Sequence, residues 1–332
     1  MNSRLLMLVF VVGLGGCSDS EPLRLTGGTM GTSWSISIAD QTDMDLDILH
    51  QEVMQELAAV NAAMSTWDPD SEISRFNRMP ADCMQISADF AEVMQAALLL
   101  SRLTDGAYDV SLGPLIDLWG FGAGEAVDAP TDAQINTLLA QTGFAHLQLD
   151  GQTLCKDMDS IQINLSSIAK GFGVDVVAEY LSAGGMENYL VEIGGELLAR
   201  GDKNGVSWTV GVENPASLAA HSALLALPLE NQAVATSGDY RNFFILDGRR
   251  YSHIIDARTG RPVDNHIASV TVITSNVTLA DGWATALMTL DPERAMEIAD
   301  EQGLAVLLIL RDGDLFENRA STLWLGLFGA PG

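Results

Sequence analysis

Residues 235–263 read ATSGDYRNFFILDGRRYSHIIDARTGRPV, and this stretch sets the fold class. Residues 243–246 and 251–255 are β-prone runs. Asp247-Gly248 between them is a strong short hairpin signal, because both residues tolerate a positive φ. The second run delivers His253, Asp256 and the turn Arg258-Thr259-Gly260-Arg261-Pro262 to one end of the hairpin. A histidine between acidic and basic neighbours on a rigid strand is what proton transfer beside a charged substrate needs. A surface hairpin with a solvated histidine has the same spacing, so the segment alone leaves both readings open.

Outward from the hairpin, strand and helix signals mix without regular alternation. Residues 33–39 alternate polar and apolar side chains, as a half-buried strand does. Helical spacing predicts helices over 43–64, 88–103 (capped by Ser87), 131–142, 168–181 (capped by Ser166 or Ser167), 277–290 and 292–302. Runs 147–149 and 152–155 form a small hairpin. Further strands are expected at 161–165, 188–193, 196–200, 208–212, 223–229, 234–236, 268–274 and 305–310. Residues 65–77 read as a loop, with Pro69 barring a helix in the Asp68-Pro69-Asp70 turn. The pattern implies an α+β fold with mixed sheets and packed helices, in one catalytic domain of one or two lobes.

The chain has 332 residues, 17 Lys plus Arg against 44 Asp plus Glu, and a formal charge of −27. That balance opposes nucleic-acid binding, which draws its affinity from basic residues meeting phosphates. It also opposes a polybasic membrane-surface role. A phosphate-bearing substrate would need a local cation, which points to a metal.

Arg4 and the ten apolar residues 5–14 form a segment too short to cross a bilayer. Leu14-Gly15-Gly16-Cys17 is similar to a bacterial lipobox. The expectation is a signal peptide at 1–16, a lipidated Cys17 with its tether to residue 24, and a domain over 25–332. A lipoprotein on the periplasmic side of a bacterial membrane, the inner one, follows. Cys83 and Cys155 then remain as an even pair, either joined or free and buried.

Several short pieces could carry chemistry. The glycines of residues 27–32, GGTMGT, let backbone N–H groups approach a ligand, although a flexible entry to the fold would look alike. Trp67 is either a lid on the core or a stacking platform for a planar heterocycle. The helix start after Asn164, with Ser167 and Lys170, suits a phosphate, although a capped helix with an exposed lysine would look the same. Asp281 and Thr285, at i and i+4, share a helix face and offer hard oxygen ligands suited to Mg²⁺, although an N-terminal Asp that only favours the helix dipole has the same place.

In order, GTMGT at 28–32, MSTWDPDSEISRFN at 64–77, DGAYDVSLGPLIDLWGFG at 105–122, NLSSIAKGFGVD at 164–175, YLVEIGG at 189–195, the hairpin and LADGWAT at 279–285 closely resemble the ApbE family. These are FAD:protein FMN transferases, and the resemblance spans about residues 25–311. It implies a Mg²⁺-dependent enzyme that moves the FMN part of FAD to a Ser or Thr hydroxyl of a flavoprotein and releases AMP. The implied acceptors are subunits of Nqr- and Rnf-type redox pumps.

By position, the resemblance gives a flavin-pocket contact to Met30, stacking on the isoalloxazine to Trp67, the adenine side to Ala107, Tyr108 and Asp109, and further FAD contacts to Asn164, Lys170 and, through its backbone, Ile255. Trp67 stands where the family often has Tyr, and Asn164 where it usually has Asp. Metal ligation falls to Ser167 through its backbone carbonyl, and to Asp281, Ala284 and Thr285, with Ala284 able to give only its carbonyl. His253 is the expected base for the acceptor hydroxyl, since histidine titrates near neutrality, with Asp256 orienting it. Two further readings stand beside this one: an FAD pyrophosphatase with water as acceptor, and a lipoprotein that binds FAD without turnover.

Overall fold

The computed structural model describes residues 21–41, 44–122, 129–215, 223–240, 243–246, 249–313 and 315–331. Cys17, the signal segment and the Asp247-Gly248 turn lie outside the described residues. Alternating burial builds the main sheet. Trp34, Ile36 and Ile38 are fully buried, while the serines between them are not.

Among the described residues, eight strands run in chain order across this sheet: β1 (Leu23–Thr29), β2 (Thr32–Ile38), β3 (Tyr189–Ile193), β4 (Glu196–Arg200), β5 (Gln232–Gly238), β6 (Ile267–Thr274), β7 (Ala305–Asp312) and β8 (Leu315–Ala320). Every pairing is antiparallel. Leu23 and Arg24 lie inside β1, so the end of the stretch expected to be a tether is strand.

The helices are α1 (Leu46–Met64), α2 (Glu72–Arg78), α3 (Ala88–Leu103), α4 (Gly113–Leu118), α5 (Asp132–Leu139), α6 (Ala169–Ala183), α7 (Val277–Met288), α8 (Pro292–Glu301) and α9 (Thr322–Phe328). Local chemistry starts several of them. Asp45 accepts from the N–H groups of Asp47 and Ile48, Ser87 accepts from Phe90, and Thr131 forms a capping box with Gln134. Each such cap satisfies N–H groups that the helix cannot, and contributes about 1 kcal/mol.

The period of two divides the sheet into two faces. Leu198, Val306 and Leu308 pack beneath α1, α3, α6 and α7. Leu197, Ala199, Ala305 and Leu307 face the other way, against Trp324 of α9 and the hairpin Trp208–Glu213/Ala223–Leu229. Because β7 is covered on both faces, it reads as a continuous apolar run rather than an alternating one.

Three local expectations need correction. Within 65–77 the chain forms α2, because the Asp-Pro-Asp turn ends at residue 70 and the Ser71 hydroxyl then accepts from the N–H of Ser74. Residues 161–165 make a single bridge, Leu112 to Gln162, instead of a strand. Helix α6 has Ile168 at its N-cap with no side-chain cap. Both candidate caps have other partners: Ser166 bonds Asn164 Oδ1 at 2.7 Å, and Ser167 Oγ meets the Tyr108 hydroxyl at 2.9 Å.

The Cys83–Cys155 disulfide joins two directly paired strand positions, Cys83–Gln85 on Thr153–Lys156. The opening hairpin pairs Phe243–Leu246 with Arg249–Ser252, then stops. Ser252 Oγ accepts from the Ile254 N–H at 3.2 Å, and Ile255–Asp256 pairs instead with Arg261–Pro262. His253 therefore stands at the break between two ribbons.

Candidate active site

A cavity of about 690 Å³ opens between the sheet ends and the helices, within the size range of small-molecule sites. Its first wall is the β1–β2 turn. Met30 adopts φ 48° and Gly31 φ 72°, left-handed values that let two residues reverse the chain and present Met30 to the cavity. Gly27 and Gly28, open to a ligand-approach or a flexible-entry reading, are part of β1 itself. Trp67 stands at the rim, 70% exposed, on a loop held by the Ser71 hydroxyl donating to the Ser65 carbonyl at 2.7 Å.

Residues 107–109 and the approach to α6 add a further part of the lining. Tyr108 is buried, and that burial raises its pKa. Asp109 lines the cavity while bracing its own loop, accepting from Ser111 N–H and Phe144 N–H at 2.7 Å each; burial raises its pKa. Asn164 Oδ1 accepts from the backbone N–H and hydroxyl of Ser166.

At the same cavity α6 and α7 meet. The Gly171 N–H donates to Asp281 Oδ2 at 3.0 Å. Lys170 Nζ lies 3.5 Å from the same oxygen and 3.1 Å from Glu196 Oε1. Burial disfavours the Lys170 charge, but Asp281 and Glu196 outweigh it and hold the ammonium above its ordinary pKa. Burial raises the Asp281 pKa against the pull of Lys170. Burial also lifts Glu196 to about 7, with Lys170 opposing and Asp281 reinforcing the shift. Thr285, one turn beyond Asp281, bonds Ser237 at 3.1 Å between hydroxyls.

Two buried carboxylates facing one ammonium leave a net negative charge when all are ionised, and buried charge is stable only when paired. A cation would complete that balance. Among the described residues no three His, Cys, Asp or Glu side chains cluster as metal ligands. Mg²⁺ commonly takes one or two carboxylates and fills its remaining positions with water and phosphate oxygens. Asp281 and the hydroxyls of Thr285 and Ser167 form a donor set that fits it, and all three line the cavity.

Ala284 does not line the cavity: it is fully buried in mid-α7, where backbone carbonyls serve the helix ladder. Asp256 also stands outside the lining. Its two carboxylate oxygens accept from Arg258 Nε and Nη2, each at 3.0 Å, and Arg258 donates on to the Thr289 carbonyl. A bidentate guanidinium of this kind holds the carboxylate firmly and anchors the turn. His253 and Ile255 do reach the cavity, His253 with its ring edge-on to Phe121 at 6.3 Å.

Sequence reasoning passed over Glu196 and Gly171. The signal for Glu196 was a lone charge opening the apolar strand ELLA. Gly171 had none, since its role arises from contact with another helix.

The fold and the cavity together define an α+β enzyme. Residues 30–308 match the ApbE family. The chain is 43% identical over 327 residues to the FAD:protein FMN transferase of Vibrio cholerae serotype O1, covering 97% of this chain and 98% of that protein. Identity to the protein of the same name from Haemophilus influenzae is 38% over 331 residues, covering 96% of each. The solved flavin transferase ApbE of Vibrio cholerae is similar with a TM-score of 0.86 at 42% identity, covering 93% of this chain and 99% of that one. The apo form of Pseudomonas stutzeri flavinyl transferase ApbE gives 0.84 at 39%, covering 93% and 98%. The chain belongs to the ApbE family.

Proposed function

We propose that this enzyme, an FAD:protein FMN transferase, moves FMN from FAD to a Ser or Thr hydroxyl of an acceptor flavoprotein and releases AMP. The observation that carries the reading is the Lys170–Asp281–Glu196 cluster. It lines the same cavity as Met30, Trp67, Tyr108 and His253. A substrate with two planar ends joined by a pyrophosphate needs these parts together: apolar and aromatic surface for the rings, charge for the phosphates.

Phosphoryl transfer asks a protein for positioning and charge stabilisation more than for covalent chemistry. The acceptor oxygen forms a bond to the FMN phosphorus, the bond from that phosphorus to the bridging oxygen breaks, and AMP leaves with that oxygen. An imidazole nitrogen of His253 takes the hydroxyl proton. Lys170 places its positive charge beside the pyrophosphate, and Trp67 covers the rim of the cavity. Asp281, Thr285 and Ser167 would hold Mg²⁺, whose chemistry when bound is to offset charge developing on the leaving phosphate.

Residues 1–16 are proposed as a signal peptide and Cys17 as the lipid attachment site, placing the domain on the periplasmic side of the inner membrane. The disulfide supports an oxidising compartment. The acceptors proposed are subunits of Nqr- and Rnf-type complexes.

The test mixes the mature protein with FAD, Mg²⁺ and an acceptor domain carrying a Ser or Thr site, and reads the products by mass spectrometry. An FMN adduct on the acceptor is expected. Free FMN and AMP would show a pyrophosphatase instead, and unchanged FAD a simple binder.

A further inference from the structure

Glu196 opens β4 with an oxygen that the protein leaves unanswered. The side chain shares the helix-covered face of the sheet with Leu198, two residues on, and is 4% exposed. Oε1 is held by Lys170 at 3.1 Å. Oε2 is buried with no hydrogen-bond partner among the described residues. An unsatisfied buried polar atom costs about 1–3 kcal/mol, and more when charged. Glu196 lines the cavity, so a bound ligand is one group that can complete this oxygen.

The surroundings say which part of a ligand that is. Glu196 lines the cavity with Met30 and Thr32 of the β1–β2 turn. Gly194, two residues earlier, approaches the same turn so closely that a Cβ there would stand 2.9 Å from Thr32 Cγ2 and 3.3 Å from Lys170 Cδ. Glu196 thus lies beside the turn that carries Met30. If FAD lies with its flavin toward Met30, the group beside Glu196 comes from the FMN half. The donors in that half are the ribityl hydroxyls and the ring imide N–H.

We propose that Glu196 is a substrate-contacting specificity residue, whose Oε2 accepts a hydrogen bond from a donor of the FMN half while Lys170 fixes Oε1. This rests on the flavin-transferase reading above. Lys170 then has two duties, meeting the pyrophosphate and setting the carboxylate that reads the flavin side.

Glu196→Gln tests it. The variant keeps the shape and one oxygen for Lys170, but puts an NH₂ donor where the ligand needs an acceptor. Titrations with FAD, FMN, 3-methyl-FMN and ADP, followed by flavin fluorescence or calorimetry, are compared with the unaltered protein. FAD and FMN should bind at least tenfold more weakly, and ADP within twofold of the original. Where the imide is the donor, 3-methyl-FMN binds the unaltered protein weakly and the substitution adds nothing. Where a ribityl hydroxyl is the donor, 3-methyl-FMN loses affinity on substitution as FMN does. Unchanged FMN affinity overturns the proposal, and so does an equal loss for FMN and ADP, which would be a general structural effect.

Should Glu196→Gln fail to fold, Glu196→Asp serves, since it keeps the charge and withdraws the oxygens by one methylene. It should show the same FMN-selective loss, and original FMN affinity in it overturns the proposal. If the unaltered protein binds no FAD, the transferase reading falls. If it binds FAD and the variants match it, only the Glu196 role falls.

Discussion

The Gly171 N–H donates to Asp281 Oδ2 at 3.0 Å, joining helices α6 and α7 across 110 residues of sequence. The contact exists because residue 171 has no side chain. A Cβ there would lie 2.4 Å from the Val277 carbonyl oxygen and 2.8 Å from Asp281 Cβ. Gly171→Ala must therefore push the helices apart at the point that positions the carboxylate. Overpacking of this kind costs about 1–3 kcal/mol. Calorimetry should show a lower Tm, and metal titration a weaker site; a variant with both unchanged would mean that the helices separate without disturbing Asp281.

His253 and Asp281 should separate by what each loses. His253→Ala removes the proposed base, and general-base catalysis is worth roughly 10²–10⁴-fold in rate. Transfer should fall by that order, while FAD affinity stays within about twofold, since the ring sits at the break between two ribbons rather than in the core. Asp281→Asn should instead raise the Mg²⁺ concentration needed for half-maximal transfer. Fluorescence titration and transfer assays run side by side read both effects, and equal responses of the two variants to Mg²⁺ would undo the division of roles.

Trp67 is 70% exposed, so Trp67→Ala removes little from the core. Surface changes of this sort alter stability by about 0.5 kcal/mol or less. If the indole stacks on the flavin ring, its loss should weaken FAD binding by roughly 2- to 12-fold, the equivalent of 0.5–1.5 kcal/mol. Quenching of flavin fluorescence is the measurement. Unaltered quenching and affinity would assign Trp67 to no more than the rim.

Glu196 carries a pH signature of definite sign. Burial lifts its carboxyl from 4.5 to about 7, with Lys170 and Asp281 as the charged groups facing it. Between those values the folded protein binds more protons than the unfolded chain, so this group's contribution to stability falls as pH rises from about 4.5 to 7. Glu196→Gln has no such proton to lose. The stability of the variant relative to the original should therefore increase across that window, as urea unfolding at pH 5 and pH 7.5 would show. Parallel curves would mean that the group titrates normally.

Much of the fold was legible because its signals are local. Asp45, Ser87 and Thr131 cap the helices that follow them, and the Trp34, Ile36 and Ile38 alternation belongs to one strand. Helix α2 was hidden by the turn that precedes it. Ser166 and Ser167 read as caps because nothing in the sequence shows that Asn164 and Tyr108 take their hydroxyls. Within the site, twelve of the expected FAD, metal and base positions face the cavity, whereas Asp256 and Ala284 do not.

By itself, then, the sequence determined the α+β composition, the hairpin and the order of family blocks, since hydrophobic period, turn chemistry and motif order are properties of neighbouring residues. Only the tertiary structure decided that Cys83 joins Cys155, that Arg258 takes Asp256, and that Lys170 stands between Asp281 and Glu196. The physical reason is that ion pairing, desolvation and close approach depend on which side chains the sheet and helices bring within a few ångströms. Residues 171 and 281 meet only because a glycine lets two helices touch.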